Sequence, residues 1–212
     1  MKYSVPINID FDSAGMLDIY QKHIGTLVDN PKNIKHNPNF INAYTSYLIN
    51  ATEYKWPIEN IVNEFDIDVD TIKVFVTKPN KKLFLHRDKV ANKQELRQWA
   101  INIPILNGEV GYNEWFEDDV NDFGNEKIVH GGVATMPQGL HDDYICAESC
   151  AITGVTLLRT DIMHRARNDT DKTRVVLSIR GNPKVTWNDI LEKVNEFNQS
   201  TGNSSGSERH TY

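Results

Sequence analysis

A chain of 212 residues has room for one domain with extensions or two small ones. Apolar residues make up 39% and charged residues 25%, an ordinary globular balance that supports a buried core. The formal net charge of −6 leaves no basic surplus to displace counterions, so a nucleic-acid partner is not expected.

Residues Met1 to Pro6 carry no apolar signal core, and no apolar run reaches the length of a membrane span. The expectation is a soluble, cytoplasmic protein with no membrane partner and an oligomeric state the sequence leaves open. Tyr3, Val5, Ile7 and Ile9 alternate as in a half-buried strand. Asp12-Ser13 can cap a helix through about Val28, with Met16, Leu17, Tyr20, Ile24 and Leu27 at helical spacing. Asn30-Pro31 ends it. A second helix is expected around Phe40 to Thr52 and a short third one after Pro57, so residues 1–70 read as mostly helical.

From Thr71 the apolar period changes to two. Thr71 to Thr77 alternates, Pro79-Asn80 turns, and Leu83-Phe84-Leu85 leads into His86. Further strands are expected at Trp99–Leu106, Glu109–Phe116, Lys127–Met136, Ile152–Arg159 and Arg174–Arg180. Short strands punctuated by turn residues predict a sandwich or barrel. Trp187 to Phe197 has an amphipathic helical stripe of Ile190, Leu191, Val194 and Phe197. The reading is a single domain over 1–199: a mostly helical part (1–70), a β core (71–182) and a C-terminal helix (186–199). Residues 200–212, rich in Ser and Gly, are expected to be a disordered tail. Cys146 and Cys150 make no disulfide framework and read as ordinary reduced thiols.

Three residues point to metal chemistry. Positions two apart on a strand share a face, so His86 and Asp88 can present two ligands together. The pair alone is weak, because His141-Asp142-Asp143 repeats it. Spacing separates the two: several strands fit between Asp88 and His164, but only about one hairpin fits between Asp143 and His164. Two imidazoles and a carboxylate form the facial ligand set of non-haem Fe(II) oxygenases, which leaves other positions open. Ten residues after His164 comes Arg174. Alternation puts Arg174, Val176, Ser178 and Arg180 on one face, and an arginine fork there suits a carboxylate.

These segments resemble the 2-oxoglutarate- and Fe(II)-dependent oxygenases, particularly the aspartyl/asparaginyl β-hydroxylase and proline hydroxylase group. The resembling text is His86-Arg87-Asp88, Trp99 to Ile105, His164 to Asn168, and Arg174 to Ile179. Some aspartyl/asparaginyl hydroxylases lack the middle carboxylate; Asp88 leans toward the proline-hydroxylase pattern. The resemblance implies a mainly β fold, a double-stranded β-helix (jelly roll, cupin-like) with flanking helices. It implies Fe(II) on His86, Asp88 and His164, and 2-oxoglutarate held by Arg174 with polar support from Ser178 and Asn102. The implied activity is O₂-dependent hydroxylation of an amino acid, a peptide side chain or another small metabolite, with 2-oxoglutarate decarboxylated to succinate.

Two other classes compete. A cupin-like binding module would keep the barrel and bind metal or a small molecule without consuming O₂. A zinc hydrolase would use the same donors for ester or amide cleavage indifferent to 2-oxoglutarate. Among other residues, Trp99 and Trp115-Phe116 read as core packing. His130-Gly131-Gly132 reads as a turn or bulge, and the acidic stretches at 117–119 and 141–143 as solvated loops. Such loops at a barrel mouth often select substrate, and a cationic one would suit them. Asn168 is a candidate for bonds that orient the ligands.

Overall fold

A computed structural model describes residues 2–22, 44–49, 55–89, 95–117, 123–129, 132–137 and 144–204. The strands are β1 (Ser4–Pro6), β2 (Tyr44–Ile49), β3 (Val69–Thr77), β4 (Lys81–Lys82), β5 (Arg87–Lys89), β6 (Trp99–Leu106), β7 (Tyr112–Phe116), β8 (Phe123–Val129), β9 (Gly132–Pro137), β10 (Cys146–Cys150), β11 (Thr156–Arg159), β12 (His164–Asn168) and β13 (Arg174–Gly181). The helices are α1 (Ser13–Tyr20), α2 (Lys55–Glu64) and α3 (Trp187–Ser204).

One sheet runs β1-β11-β6-β13-β3-β2 and a second runs β10-β7-β12-β4, every pairing antiparallel. From β3 onward the chain passes back and forth between the two sheets. The interleaved orders β11-β6-β13-β3 and β10-β7-β12-β4 make the fold a double-stranded β-helix. Flanking helices complete the expected fold class.

The two faces of the larger sheet differ in chemistry. Its outer face carries Ile72, Val74 and Val76, then Ile101 and Ile103, then Val175, Leu177 and Ile179. These pack against Met16 and Ile19 of α1, Ile58 and Ile61 of α2, and Trp187, Ile190 and Val194 of α3. The main apolar core therefore lies outside the barrel, and its interior is free to be polar. Asp12 caps α1 by accepting from Gly15 N at 2.8 Å. Thr186 and Asp189 cap α3 reciprocally, at 2.9 and 3.2 Å.

Several expectations change. Within Phe40 to Thr52 the described segment is not helix: Tyr44–Ile49 is a strand beside β3, in register Tyr44 with Thr77 and Ile49 with Ile72. Its run of Tyr, Thr, Ser, Tyr, Leu and Ile favours a strand, and the neighbouring strand supplies the hydrogen bonds a helix would make internally. The first helix is α-helical over Ser13–Tyr20, and residues 23–28 of the expected span lie outside the described residues. Lys127–Met136 is not one strand but parts of two, β8 and β9, which pair as antiparallel neighbours. Ser200 to Ser204, placed in the tail, continue α3; residues 205–212 lie outside the described residues. No helix of the described residues is long and apolar enough to cross a membrane.

Candidate functional site

His86 and His164 face each other as a backbone-bonded pair. His86 N donates to His164 O at 3.0 Å and His164 N returns the bond at 2.9 Å. This pairing continues the alignment of β4 with β12, where Lys82 lies opposite Arg167. Past His86 the chain leaves β12: Asp88 N donates to Thr160 O at 2.9 Å, and β5 takes β9 as its partner. The segment between β7 and β10 thus contributes a hairpin that adds two strands beside the strand bearing Asp88. Gly111, just before β7, has φ +78, and a Cβ there would lie 2.3 Å from Arg167 O. That close approach seats β7 beside β12.

The three expected ligands converge. One donor atom from each of His86, Asp88 and His164 lies within 4.8 Å of the others. The imidazole centroids are 4.5 Å apart, and His86 Nε2 is 3.6 Å from Asp88 Oδ1. Each imidazole is oriented alike by the carbonyl two residues back. His86 Nδ1 lies 3.0 Å from Phe84 O and His164 Nδ1 lies 2.8 Å from Ile162 O. A carbonyl can only accept, so Nδ1 carries the proton and Nε2 presents its lone pair to the site.

Charge tuning favours metal-competent forms. Burial foremost, with the neighbouring His164, lowers His86 from 6.5 to about 4. Burial also lowers His164. For Asp88 burial alone would raise the pKa, but the Arg180 guanidinium and the two imidazoles outweigh it and hold the carboxyl at about 2. Arg180 Nη2 is 2.8 Å from Asp88 Oδ2. The contact is an ion pair without hydrogen-bond alignment, since Oδ2 is buried with no hydrogen-bond partner. Two neutral imidazoles and a buried, incompletely satisfied carboxylate are a donor set that fits a divalent metal.

A cavity of about 540 Å³, solvent at its mouth included, joins this cluster to the inner face of the larger sheet. Arg174, Ser178 and Asn102, the three residues expected to hold a co-substrate, all line it. Arg174 is 3% exposed and its Nη2 donates to Asn113 Oδ1 of β7 at 3.2 Å, across the interior. Ser178 and Asn102 are register partners on adjacent strands. Asn102 Oδ1 is buried without a hydrogen-bond partner.

Sequence reading put Arg180 on the inner face of its strand without giving it a role, and singled out neither Asn113 nor Lys73. Asn113 and Arg180 line the cavity, and Arg180 stacks over Phe75 with its Cζ 5.3 Å from the ring centroid. Lys73, buried on β3 opposite Ser178, is lowered to about 8, mainly by burial and then by Arg180. Alternation was a usable signal for Lys73, which stands between the outward-facing Ile72 and Val74, and for Arg180, which follows the outward-facing Ile179. Trp99 and Phe116 are core residues, whereas Trp115 also forms cavity wall beside His164. Asn168 bonds no ligand residue; its Nδ2 donates to Thr77, Lys78 and Lys172 carbonyls and ties two hairpins together. Cys146 and Cys150 are both free. His130, Gly131 and residues 118–119 and 141–143 lie outside the described residues.

No family model and no curated protein matches the chain. Among solved structures, it is similar to the viral collagen prolyl hydroxylase of Paramecium bursaria Chlorella virus-1 in its 2OG complex. That likeness has a TM-score of 0.42 and 11% identity, over 85% of this chain and 97% of the other. It is also similar to the oxalate decarboxylase of Bacillus subtilis (TM-score 0.35, 13% identity, 66% of this chain) and spans about a quarter of that protein, 26%. A third likeness is to hazelnut vicilin, from Corylus avellana (0.36, 9%, 71% of this chain and 32% of that one). At these scores the fold assignment rests on the strand order above, and the chemistry on the site itself.

Proposed function

We propose that the chain is a 2-oxoglutarate- and Fe(II)-dependent dioxygenase that hydroxylates an amino acid, a peptide side chain or another small metabolite. The observation that carries this reading is that one cavity holds both an N₂O donor triad and, from the opposite sheet, a buried arginine.

In this reading His86 and His164 hold Fe(II) through Nε2, and Asp88 through Oδ1. Arg180 lies on the Oδ2 side of Asp88, so Oδ1 would be the oxygen left to hold a metal. Bound there, Fe(II) with O₂ and 2-oxoglutarate supplies the oxidising power to break a C–H bond, releasing succinate and CO₂. Arg174 gives the distal carboxylate of 2-oxoglutarate a charged two-point fork. The Ser178 hydroxyl and the Asn102 amide, whose two ends can exchange places, line the path between that carboxylate and the triad. Phe75, Leu83, Trp115, Leu158 and Val176 form apolar wall, which excludes water from the reacting centre.

The test is succinate formation from 2-oxoglutarate with Fe(II) and O₂, in wild type and His164→Ala. Iron-dependent succinate that disappears in the variant is expected. Robust turnover by His164→Ala would refute the assignment, and zinc-dependent ester or amide cleavage indifferent to 2-oxoglutarate would replace it with a hydrolase.

A further inference from the structure

Charges around Arg180, which lines the cavity with Asp88, do not balance among the described residues; Lys73, Arg97 and Asp70 stand next to it, behind the cavity lining. Among the described residues, three cations meet two carboxylates there. Arg97 Nη2 pairs with Asp70 at 2.5 Å, and its Nη1 donates to Gly181 O at 2.7 Å. Arg180 takes Asp88. Lys73 is left over. It is 6% exposed and rises from the same sheet face as Ser178, its register partner, with Arg180 one inward-facing position further along β13. Among the described residues its ammonium makes no hydrogen bond and no ion pair. A buried cation without a counter-charge is costly, and a metal at Asp88 would draw on the carboxylate that balances Arg180. The imbalance therefore grows when the site is loaded.

We propose that Lys73 and Arg180 form an anion subsite beside the metal donors that takes a carboxylate of the primary substrate. The proposal rests on the oxygenase reading, in which Arg174, six residues before Arg180 on the same strand face, is taken by 2-oxoglutarate. Among the described residues Lys73 has no ion-pair partner of its own, and a single negative charge would supply one, which favours a carboxylate over a dianionic phosphate. It also revises the cationic substrate that the acidic loops suggested, because a cation would add to the surplus.

The test uses the full chain loaded with Mn(II), without O₂, saturated with N-oxalylglycine as the 2-oxoglutarate stand-in. Acetate is the probe, and paramagnetic relaxation of its methyl protons is the readout. Wild type should relax acetate saturably and leave acetamide unaffected. Lys73→Met and Lys73→Gln should each weaken acetate binding by about ten-fold or more, the worth of a charge-assisted contact. Lys73→Arg should restore it, acetate affinity being compared for every protein at saturating Mn(II) and N-oxalylglycine. Equal acetate binding in wild type and both neutral variants would overturn the subsite. So would the absence of saturable acetate binding in wild type, or preference for phosphate. Failure of the protein to bind N-oxalylglycine, with Lys73-dependent acetate binding retained, would instead refute the oxygenase reading and leave the anion subsite standing.

Discussion

The metal-free protein should be acid-labile because of His86. Its pKa is lowered on folding from 6.5 to about 4, burial being the largest cause. Between those values the unfolded chain binds a proton that the folded chain refuses, so stability rises with pH across the window. The contribution is fully present above pH 6.5 and is lost progressively as the pH falls toward about 4. One proton is worth about 1.4 kcal/mol per pH unit, so His86 alone accounts for about 3 kcal/mol over that interval. His164 is shifted in the same direction and adds to the loss. The assay is urea unfolding in EDTA at a series of pH values, for wild type and His86→Gln. Wild type should lose more stability than the variant on acidification, by about 3 kcal/mol for complete removal of the His86 contribution. Parallel curves for the two proteins would refute the claim that folding buries His86 in its neutral form. Adding a divalent metal should steepen the wild-type dependence, since protons then also displace the ion.

Arg174→Gln should weaken N-oxalylglycine binding by about ten- to a hundred-fold, the worth of a charge-assisted fork, with Mn(II) affinity unchanged in calorimetry; unaltered N-oxalylglycine affinity would remove Arg174 from the co-substrate site. Asp88→Asn should reduce metal affinity sharply and leave Arg180 without its counter-charge, costing several kcal/mol in unfolding experiments, about 3–5 for a broken buried pair. Leu177→Ala, in the fully buried outer face of β13, should cost about 2–5 kcal/mol in urea unfolding while metal affinity is retained by the folded fraction. Gly111→Ala should lower thermal stability and metal affinity together, because a Cβ at that left-handed position meets the Arg167 carbonyl of the strand bearing His164.

How much of this was legible in the chain depends on which interactions are local. The faces of β3, β6 and β13 could be read from alternation, because an apolar core outside the sheet forces Ile72, Val74 and Val76, or Val175, Leu177 and Ile179, to one side. The same alternation placed Arg174, Ser178 and Arg180 together inside. The spacing between Asp88 and His164 is met for a related reason: β12 must return beside the strand of His86 for the barrel to close, which brings His164 opposite it. What alternation cannot state is who meets whom across the interior. Asp88 could be ranked as a ligand from its neighbours, but its pairing with Arg180, and the choice of Arg97 for Asp70, exist only once two sheets face each other. Lys73 shows the limit most sharply. Its position between Ile72 and Val74 marks it as inward-facing, yet a lysine on an inner face is unremarkable until the two nearby carboxylates are found already taken. The helix expected over Phe40 to Thr52 failed for the converse reason: Tyr44–Ile49 acquires its strand geometry from β3, a partner that local periodicity does not contain. The parts of this site that carry charge balance are therefore tertiary, since each pairing joins residues that only the two facing sheets bring together.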